Sequence, residues 1–333
     1  AKSILELSRK SVARNLNCSA QEIVFTSCGT EANNWILRSA VKDLKVKRII
    51  TSKIEHHAVE HTLQVLEKEG KIKLSWVNVD AKGNVDLNHL EELLKTNDRS
   101  FVSLMHANNE IGTLLPLEKV GEICAKYDAV FHSDTVQTMG HFPMDLQKIK
   151  VHFVTCAAHK FHGPKGVGFL YVNKRIKPSS LIQGGAQERG LRGGTEHVHG
   201  IVGLATALTL ANEHIEEHQA HVQGLKTYMI ERLQAIFPDV AFHGDITPAG
   251  SLYTVLNASF PKSEKSEMLL FNLDINNICA SGGSACTSGA DQGSHVIRAI
   301  NNNPNQVTVR FSFSKHNTKN EVDTVVLQLK GLL

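Results

Sequence analysis

Between residues 22 and 172, short apolar runs alternate with segments of helical periodicity, and this alternation leaves the chain few architectures to choose from. Runs at 22–26, 46–52, 71–79, 100–106, 129–132, 151–154 and 168–172 read as strands. Helical periods at 32–42, 58–69, 87–95 and 117–126 fall between them. The strands are continuous apolar runs rather than strict alternations, as expected for strands buried on both faces. This predicts an α/β fold, a mostly parallel central sheet with helices on both faces. The ligand site of such a sheet lies beyond the carboxyl ends of its strands. Thr30, His56, Asn109, Asp134 and Lys160 each follow a strand end, which would bring them to one edge.

Residues 155–168, TCAAHKFHGPKGVG, hold the most telling of these. Lys160 leaves a strand end beside His159, is bounded by a Gly-Pro-Lys-Gly turn, and has no acidic neighbour close in sequence. Desolvation can take the proton from such a lysine, and a neutral amine can form a Schiff base. Taken alone, the stretch reads first as a surface loop with an ordinary lysine, the commoner case for any one lysine. Residues 27–31, Ser-Cys-Gly-Thr-Glu, stand between a strand and a helix, where free backbone N–H groups suit a phosphate. A plain N-cap at Thr30 explains the same residues.

The rest of the chain changes character. Residues 184–195 form a glycine-rich loop with Arg189, Arg192 and Thr195. A long helical run covers 201–237, and a domain change is expected within it near His214, giving domains 1–213 and 214–333. Strands at 251–258 and 307–313 and helices at 267–273 and 321–332 predict a smaller α+β domain. Cys286 sits in ASGGSACTSG among small residues, where an exposed, mobile thiol suits a nucleophile. Alone it is a free cysteine in a loop. Arg310, in a strand, could form a structural ion pair or grip a carboxylate bidentately.

Bulk properties exclude several classes. The net charge is +3, 41% of residues are hydrophobic and 21% charged, and no dense Lys/Arg run occurs, so neither nucleic-acid nor membrane-surface binding is indicated. The longest apolar stretch, 201–211, is too short to span a bilayer. The six cysteines lack disulfide-framework or zinc-ribbon spacing, which fits free thiols in a reducing compartment. No signal-peptide pattern opens the chain, which starts at Ala1 on a helical pattern, so a missing N-terminal segment is expected.

Jointly the motifs are specific. F-T-S-x-G-T-E-x-N-N, E-H-x-A-V, N-N-E-I-G, H-x-D-x-x-Q, H-K-x-x-G-P-K-G, R-x-G-T and G-S-A-C-T-S occur in this order. From about residue 22 to about residue 323 the chain resembles the class V, fold-type I enzymes that use pyridoxal 5'-phosphate (PLP), and within them the cysteine desulfurases of the NifS/IscS kind. The resemblance implies a cytoplasmic homodimer that converts L-cysteine to L-alanine and passes the sulfur to an acceptor protein, as in iron–sulfur cluster assembly. It implies that Lys160 holds PLP covalently and then acts as base, that Asp134 pairs with the ring nitrogen, and that Gln137 contacts the ring's phenolic oxygen. His56 would stack on the ring and move protons, while Gly29, Thr30, His159 and, from the second subunit, Thr195 would bind phosphate. Asn109 would lie against cofactor and substrate, Arg310 would hold the substrate carboxylate, and Cys286 would be the nucleophile, with transient contact to an iron–sulfur cluster. The G-S-A-C-T-S form resembles the group with a long mobile cysteine loop rather than the SufS-like group.

This sequence also departs from the family's pattern. Ala157 stands where the family usually has serine, so one phosphate hydrogen bond should be missing. Ala186 and Gly193 replace the usual Gly and Ser, and the family's N-terminal Asn-Asn-Ala-Thr-Thr segment is absent before Ala1. Rival readings are a selenocysteine lyase or another class V enzyme, a non-catalytic scaffold, and a metal hydrolase. The last would use His57 and His61, or His214, His218 and His221, all at helical spacing. No H-E-x-x-H pattern accompanies either set, so both are read as solvated helix faces and no metal is expected.

Overall fold

The structure, a computed structural model, describes residues 1–96, 98–282, 293–300, 303 and 305–333. It divides into two compact units. The first comprises Ala1–Asn78, Val85–His106 and Leu115–Ile215, and the second Val79–Asn84, Ala107–Leu114 and Glu216–Leu333. Two loops from the N-terminal half therefore belong with the second unit, and Asn109 is on one of them.

The first unit runs α1 (Lys2–Asn15), β1 (Ile23–Thr26), α2 (Gly29–Lys42), β2 (Arg48–Thr51), α3 (His57–Lys68), β3 (Lys73–Trp76), α4 (Leu87–Leu94) and β4 (Ser100–Ser103). It continues with α5 (Leu117–Lys126), β5 (Val130–Asp134), β6 (Phe153–Ala157), β7 (Gly168–Val172) and α6 (Val198–Glu213). Seven strands form one sheet in the order β1-β7-β6-β5-β4-β2-β3. Strand β7 is antiparallel to both its neighbours, so β1 and β6 point the same way as β2 to β5. The chain leaves β2 for β3 on one side and later builds β4, β5 and β6 on the other, so the order switches between β2 and β4. Such a switch point opens a crevice at the carboxyl edge.

Burial explains the continuous apolar strands. Val24, Ile49, Phe101 and Phe153 pack into one core cluster, and Ile23, Ile50, Val102 and Phe131 into another. Each strand thus sends alternate side chains to two buried faces. Amphipathic α2 and α3 place Trp35, Ile36, Val59 and Leu63 in the first of these clusters.

The second unit contains α7 (Ile215–Ile236), β8 (Ala241–His243), β9 (Val255–Pro261), α8 (Leu269–Ile275), α9 (His295–Ile300), β10 (Gln306–Ser312) and α10 (Lys319–Leu332). Residue Ile215 of α7 is counted with the first unit. Its sheet is antiparallel, in the order β10-β9-β8, and its core includes Leu225, Leu256, Phe260, Val309 and Val326. The long helix expected over 201–237 is two helices. His214 caps α6 at φ −114 and ψ 18, outside helical geometry, and this breaks the run. His214 and His218 therefore do not share a helix face. His221 bonds the Asn317 carbonyl oxygen at 3.0 Å.

Candidate active site

At the carboxyl edge of the first unit's sheet, register fixes which side chains are neighbours. Thr26 of β1 pairs with Gly168, and Gly168 pairs with Ala157 of β6. On the far side, Asp134 of β5 pairs with Thr155. The turns after β1, β5 and β6 therefore leave the sheet side by side. These turns carry Gly29 and Thr30, Gln137, and His159 and Lys160 respectively.

The turn after β1 opens α2. Its N-cap is Cys28, not Thr30, and the Cys28 sulfur accepts from the Glu31 N–H at 3.4 Å. The first N–H groups of a helix have no acceptor within the helix, and with the helix dipole they suit an anion. Gly29 is buried, and a Cβ on it would lie 2.8 Å from Val136 Cγ2 and 3.9 Å from Ala157 Cβ. Glycine thus lets the three turns close on one another. Thr30 is exposed at the rim.

Asp134 ends β5 and is 5% exposed. One of its oxygens accepts from the Asn33 side chain at 2.7 Å and the other from the Val136 N–H at 3.0 Å. A buried carboxylate held this way can pair with a protonated ring nitrogen. Gln137 follows, half-buried.

Beyond β6, residues Ala158–Phe161 make one tight 3-10 turn. The turn is pinned by Ala158 N–H to the Val167 carbonyl at 3.1 Å and Gly163 N–H to the Ala158 carbonyl at 2.9 Å. His162 adopts φ 65 and Gly166 φ 78, which reverses the chain into β7. His141 donates a ring N–H to the Lys160 carbonyl at 3.0 Å. Lys160 and His159 are exposed. Desolvation, then the charges of Lys160 and Lys165, holds His159 below its usual basicity.

At the switch point, His56 caps α3 by accepting the Ala58 N–H at Nδ1, 3.1 Å. The residue before it, Glu55, is 2% exposed. Glu55 accepts from Ser52 Oγ at 2.7 Å and, through both oxygens, from the Met105 N–H at 3.0 and 3.2 Å. It therefore ties the exit of β2 to the exit of β4. Burial lifts its carboxyl to about 8 against these hydrogen bonds, and the charge of Asp134 adds to the rise.

The glycine-rich loop docks on α2. Arg192 reaches both oxygens of Glu31, at 3.0 and 3.2 Å, and Glu31 also accepts the Ser27 N–H at 2.8 Å. Desolvation opposes the charge on Glu31, but Arg192 and Ser27 outweigh it and lower its pKa. Exposed Thr195 lines a cavity of about 140 Å³ with Ser27, Gly166 and Arg192. Gly193 has a packing reason here, since a Cβ would lie 2.9 Å from the Gly184 nitrogen.

The second unit brings Asn109 and Arg310 together. Arg310 Nη1 donates to the Asn109 carbonyl at 3.1 Å. Cys286 lies outside the described residues, but both flanks of its segment are anchored beside this pair. Ser281 and Arg310 exchange two backbone hydrogen bonds, of 3.2 and 2.6 Å. Ser294 donates its hydroxyl to Glu110, the residue after Asn109.

A model of the class-V aminotransferase family matches residues 1–325. The chain belongs to the class-V aminotransferase family. That family is PLP-dependent. Cysteine desulfurase IscS of Clostridium botulinum is 40% identical over 337 residues, covering 100% of this chain and 84% of that protein. A solved NifS-like protein superposes with a TM-score of 0.90 at 37% identity, covering 99% of this chain and 87% of the other. The complex of SspA with cysteine gives 0.79 at 28%, covering 95% and 88%. Within the family, the relatives of this chain are thus IscS/NifS-like cysteine desulfurases.

Among the described residues Cys18, Cys28, Cys124, Cys156 and Cys279 are free thiols, and no helix is long and apolar enough to cross a membrane. Sequence reasoning gave no role to Asn33 or Glu55. Asn33 lies one helical turn beyond Gly29, on the same face, and that spacing was the available signal. Glu55 opens the E-H-x-A-V motif, but its partner Met105 is distant in sequence.

Proposed function

We propose that the chain is a cysteine desulfurase that takes sulfur from L-cysteine, releases L-alanine and carries the sulfur as a persulfide on Cys286. The observation that carries the reading is the meeting of Gly29, Asp134 and Lys160 at the ends of β1, β5 and β6. These residues fit PLP. The α2 N-terminus offers N–H groups for the phosphate, with Thr30 and His159 at the rim, and the cradle at Gly29 would be filled by a Cβ. Asp134 would pair with the ring nitrogen, Gln137 with the phenolic oxygen, and His56 would stack on the ring. Lys160 would bind the carbonyl carbon. Once bound, the group draws electrons from the substrate Cα and makes its proton removable.

The remaining steps belong to this chain's side chains. The Arg310 fork grips the substrate carboxylate, with its own position fixed by the Asn109 carbonyl. The Lys160 amine takes the α-proton, and His56 moves protons nearby. The Cys286 thiolate attacks the substrate sulfur, so an S–S bond forms as the C–S bond breaks. L-cysteine and an enzyme thiol become L-alanine and an enzyme persulfide, with no outside oxidant. An acceptor protein or thiol then removes the sulfur, with iron–sulfur cluster assembly the pathway in view. The reading includes a cytoplasmic homodimer in which Thr195 reaches the phosphate bound by the second copy.

The test is alanine release from L-cysteine by the PLP-loaded protein with a thiol reductant, beside Cys286→Ala and Lys160→Ala. Alanine from the wild type alone supports the reading. With PLP bound, no alanine from any of the three turns it toward selenocysteine or another amino acid. A protein that takes up no PLP points to a non-catalytic scaffold.

A further inference from the structure

His57 and His61 are one turn apart on α3, and Glu60 shares their face. The two imidazole rings stack, with centroids 4.6 Å apart and planes at 25°. His57 Nδ1 lies 3.4 Å from Glu60 Oε2. One donor atom from each of the three residues falls within 4.8 Å of the others. His57 and Glu60 are 21% and 18% exposed, and His61 is at the surface, so an ion can enter and keep water on its open side.

A stacked, solvated histidine pair beside a carboxylate would account for some of this. The distances go further. With metal–donor bonds of about 2.1 Å, two donors of a tetrahedral zinc lie about 3.4 Å apart. The His57–Glu60 separation already has that value. The widest pair would close by at most about 1.4 Å, within reach of a χ rotation at exposed His61. Two imidazoles and one carboxylate select first-row transition ions over magnesium or calcium. The helix N-terminus opposes a cation. The Glu60 charge, in the same turn, offsets this.

We propose that His57, Glu60 and His61 form a binding site for a divalent first-row transition metal ion, zinc foremost, with water completing the coordination. The site does not depend on the PLP reading. It begins one residue after His56, the α3 N-cap.

The test is equilibrium dialysis of the full chain against zinc, read by elemental analysis, with exposed thiols alkylated because Cys279 would compete. Wild type is compared with His61→Ala, Glu60→Gln and His199→Ala. The last controls for the other close histidine pair, His197 and His199, whose ring centroids are 4.2 Å apart. The wild type should bind one zinc more than His61→Ala, Glu60→Gln should weaken that zinc at least about tenfold, and His199→Ala should keep it. Cobalt(II) in place of zinc should give visible ligand-field bands that His61→Ala lacks. His61 is exposed, so its replacement should leave the far-ultraviolet circular dichroism unchanged. Equal zinc in wild type and His61→Ala overturns the proposal, and so does loss of the same zinc in His199→Ala.

Discussion

Asn33 donates its side-chain amide to Asp134 at 2.7 Å, from the first turns of α2 to the last residue of β5. Both residues are buried, at 1% and 5% exposure, so the bond is to a desolvated carboxylate and is stronger than a neutral one. Removing it leaves Asp134 the Val136 N–H as a backbone donor. Asn33→Ala should lower unfolding free energy by about 1.5–3 kcal/mol in urea titrations of the PLP-free protein. Asn33→Asp should cost more, because two buried carboxylates then face each other. A loss under about 0.5 kcal/mol in Asn33→Ala would show that the amide does not hold Asp134.

Glu55 gives stability a pH dependence of unusual sign. Its folded-state pKa, about 8, lies above the ordinary 4.5, so the folded chain holds a proton there that the unfolded chain has released. Its contribution is full below about 4.5 and is lost as pH rises toward 8, with a slope of at most about 1.4 kcal/mol per pH unit. Burial lowers His106 to about 4 and His132 to about 3 from 6.5, and these groups act the other way, favouring the folded state as pH rises through that window. The histidine effect fades over about one pH unit above 6.5, where an unfolded imidazole is half protonated. Lys226, lowered by burial from 10.5 to about 8, raises stability with pH only beyond that value. The Glu55 share is therefore read from the difference between wild type and Glu55→Gln. Urea titrations at several pH values should show wild type losing stability relative to Glu55→Gln as pH rises from about 4.5 to 8.

Ala157 tests the link between sheet edge and phosphate. Its Cβ would be 3.9 Å from a Cβ on Gly29, so a hydroxyl at 157 would stand at the α2 N-terminus. Ala157→Ser should supply the charge-assisted hydrogen bond that alanine cannot. Such bonds contribute about 1.5–3 kcal/mol, so PLP should bind at least about tenfold tighter in an absorbance titration. An unchanged Kd would place the phosphate away from this turn.

The sequence made the sheet readable because strands buried on both faces are continuous apolar runs, as at Phe153–Ala157. It made the edge readable because Gly29, Asp134 and Lys160 follow such runs directly. Helix α5, Leu117–Lys126, has the bounds its periodicity predicts. The break at His214 was hidden, since the apolar period continues across it while the backbone leaves helical geometry. The reversed direction of β7 was also hidden, because pairing is non-local and apolar runs carry no direction. The same holds for the membership of Asn109 in the second unit and for the Glu55–Met105 bond. In each case the deciding partner is far away in the chain.

Arg9 and Glu188 are the strongest case of such a non-local pair. Two guanidinium nitrogens of Arg9 meet the two carboxylate oxygens of Glu188 at 2.7 and 2.8 Å, and each side chain is 3% exposed. Glu188 also accepts the Phe25 N–H at 2.9 Å, and Arg9 donates to the Ile23 carbonyl at 2.9 Å. The pair thus joins α1, β1 and the glycine-rich loop. Arg9→Met leaves a buried carboxylate uncompensated and should cost about 3–5 kcal/mol. Adding Glu188→Leu removes that charge, so the double variant should be more stable than the two single losses summed. The Ile23 carbonyl keeps a partner in Arg189, at 2.9 Å, whereas the Phe25 N–H loses its carboxylate acceptor, which limits the recovery. A double-mutant cycle in urea should give a coupling above about 1 kcal/mol. Burial shields the pair from salt, so the coupling should persist at high ionic strength. Additive losses would mean that the two side chains stabilise the fold separately, through packing alone.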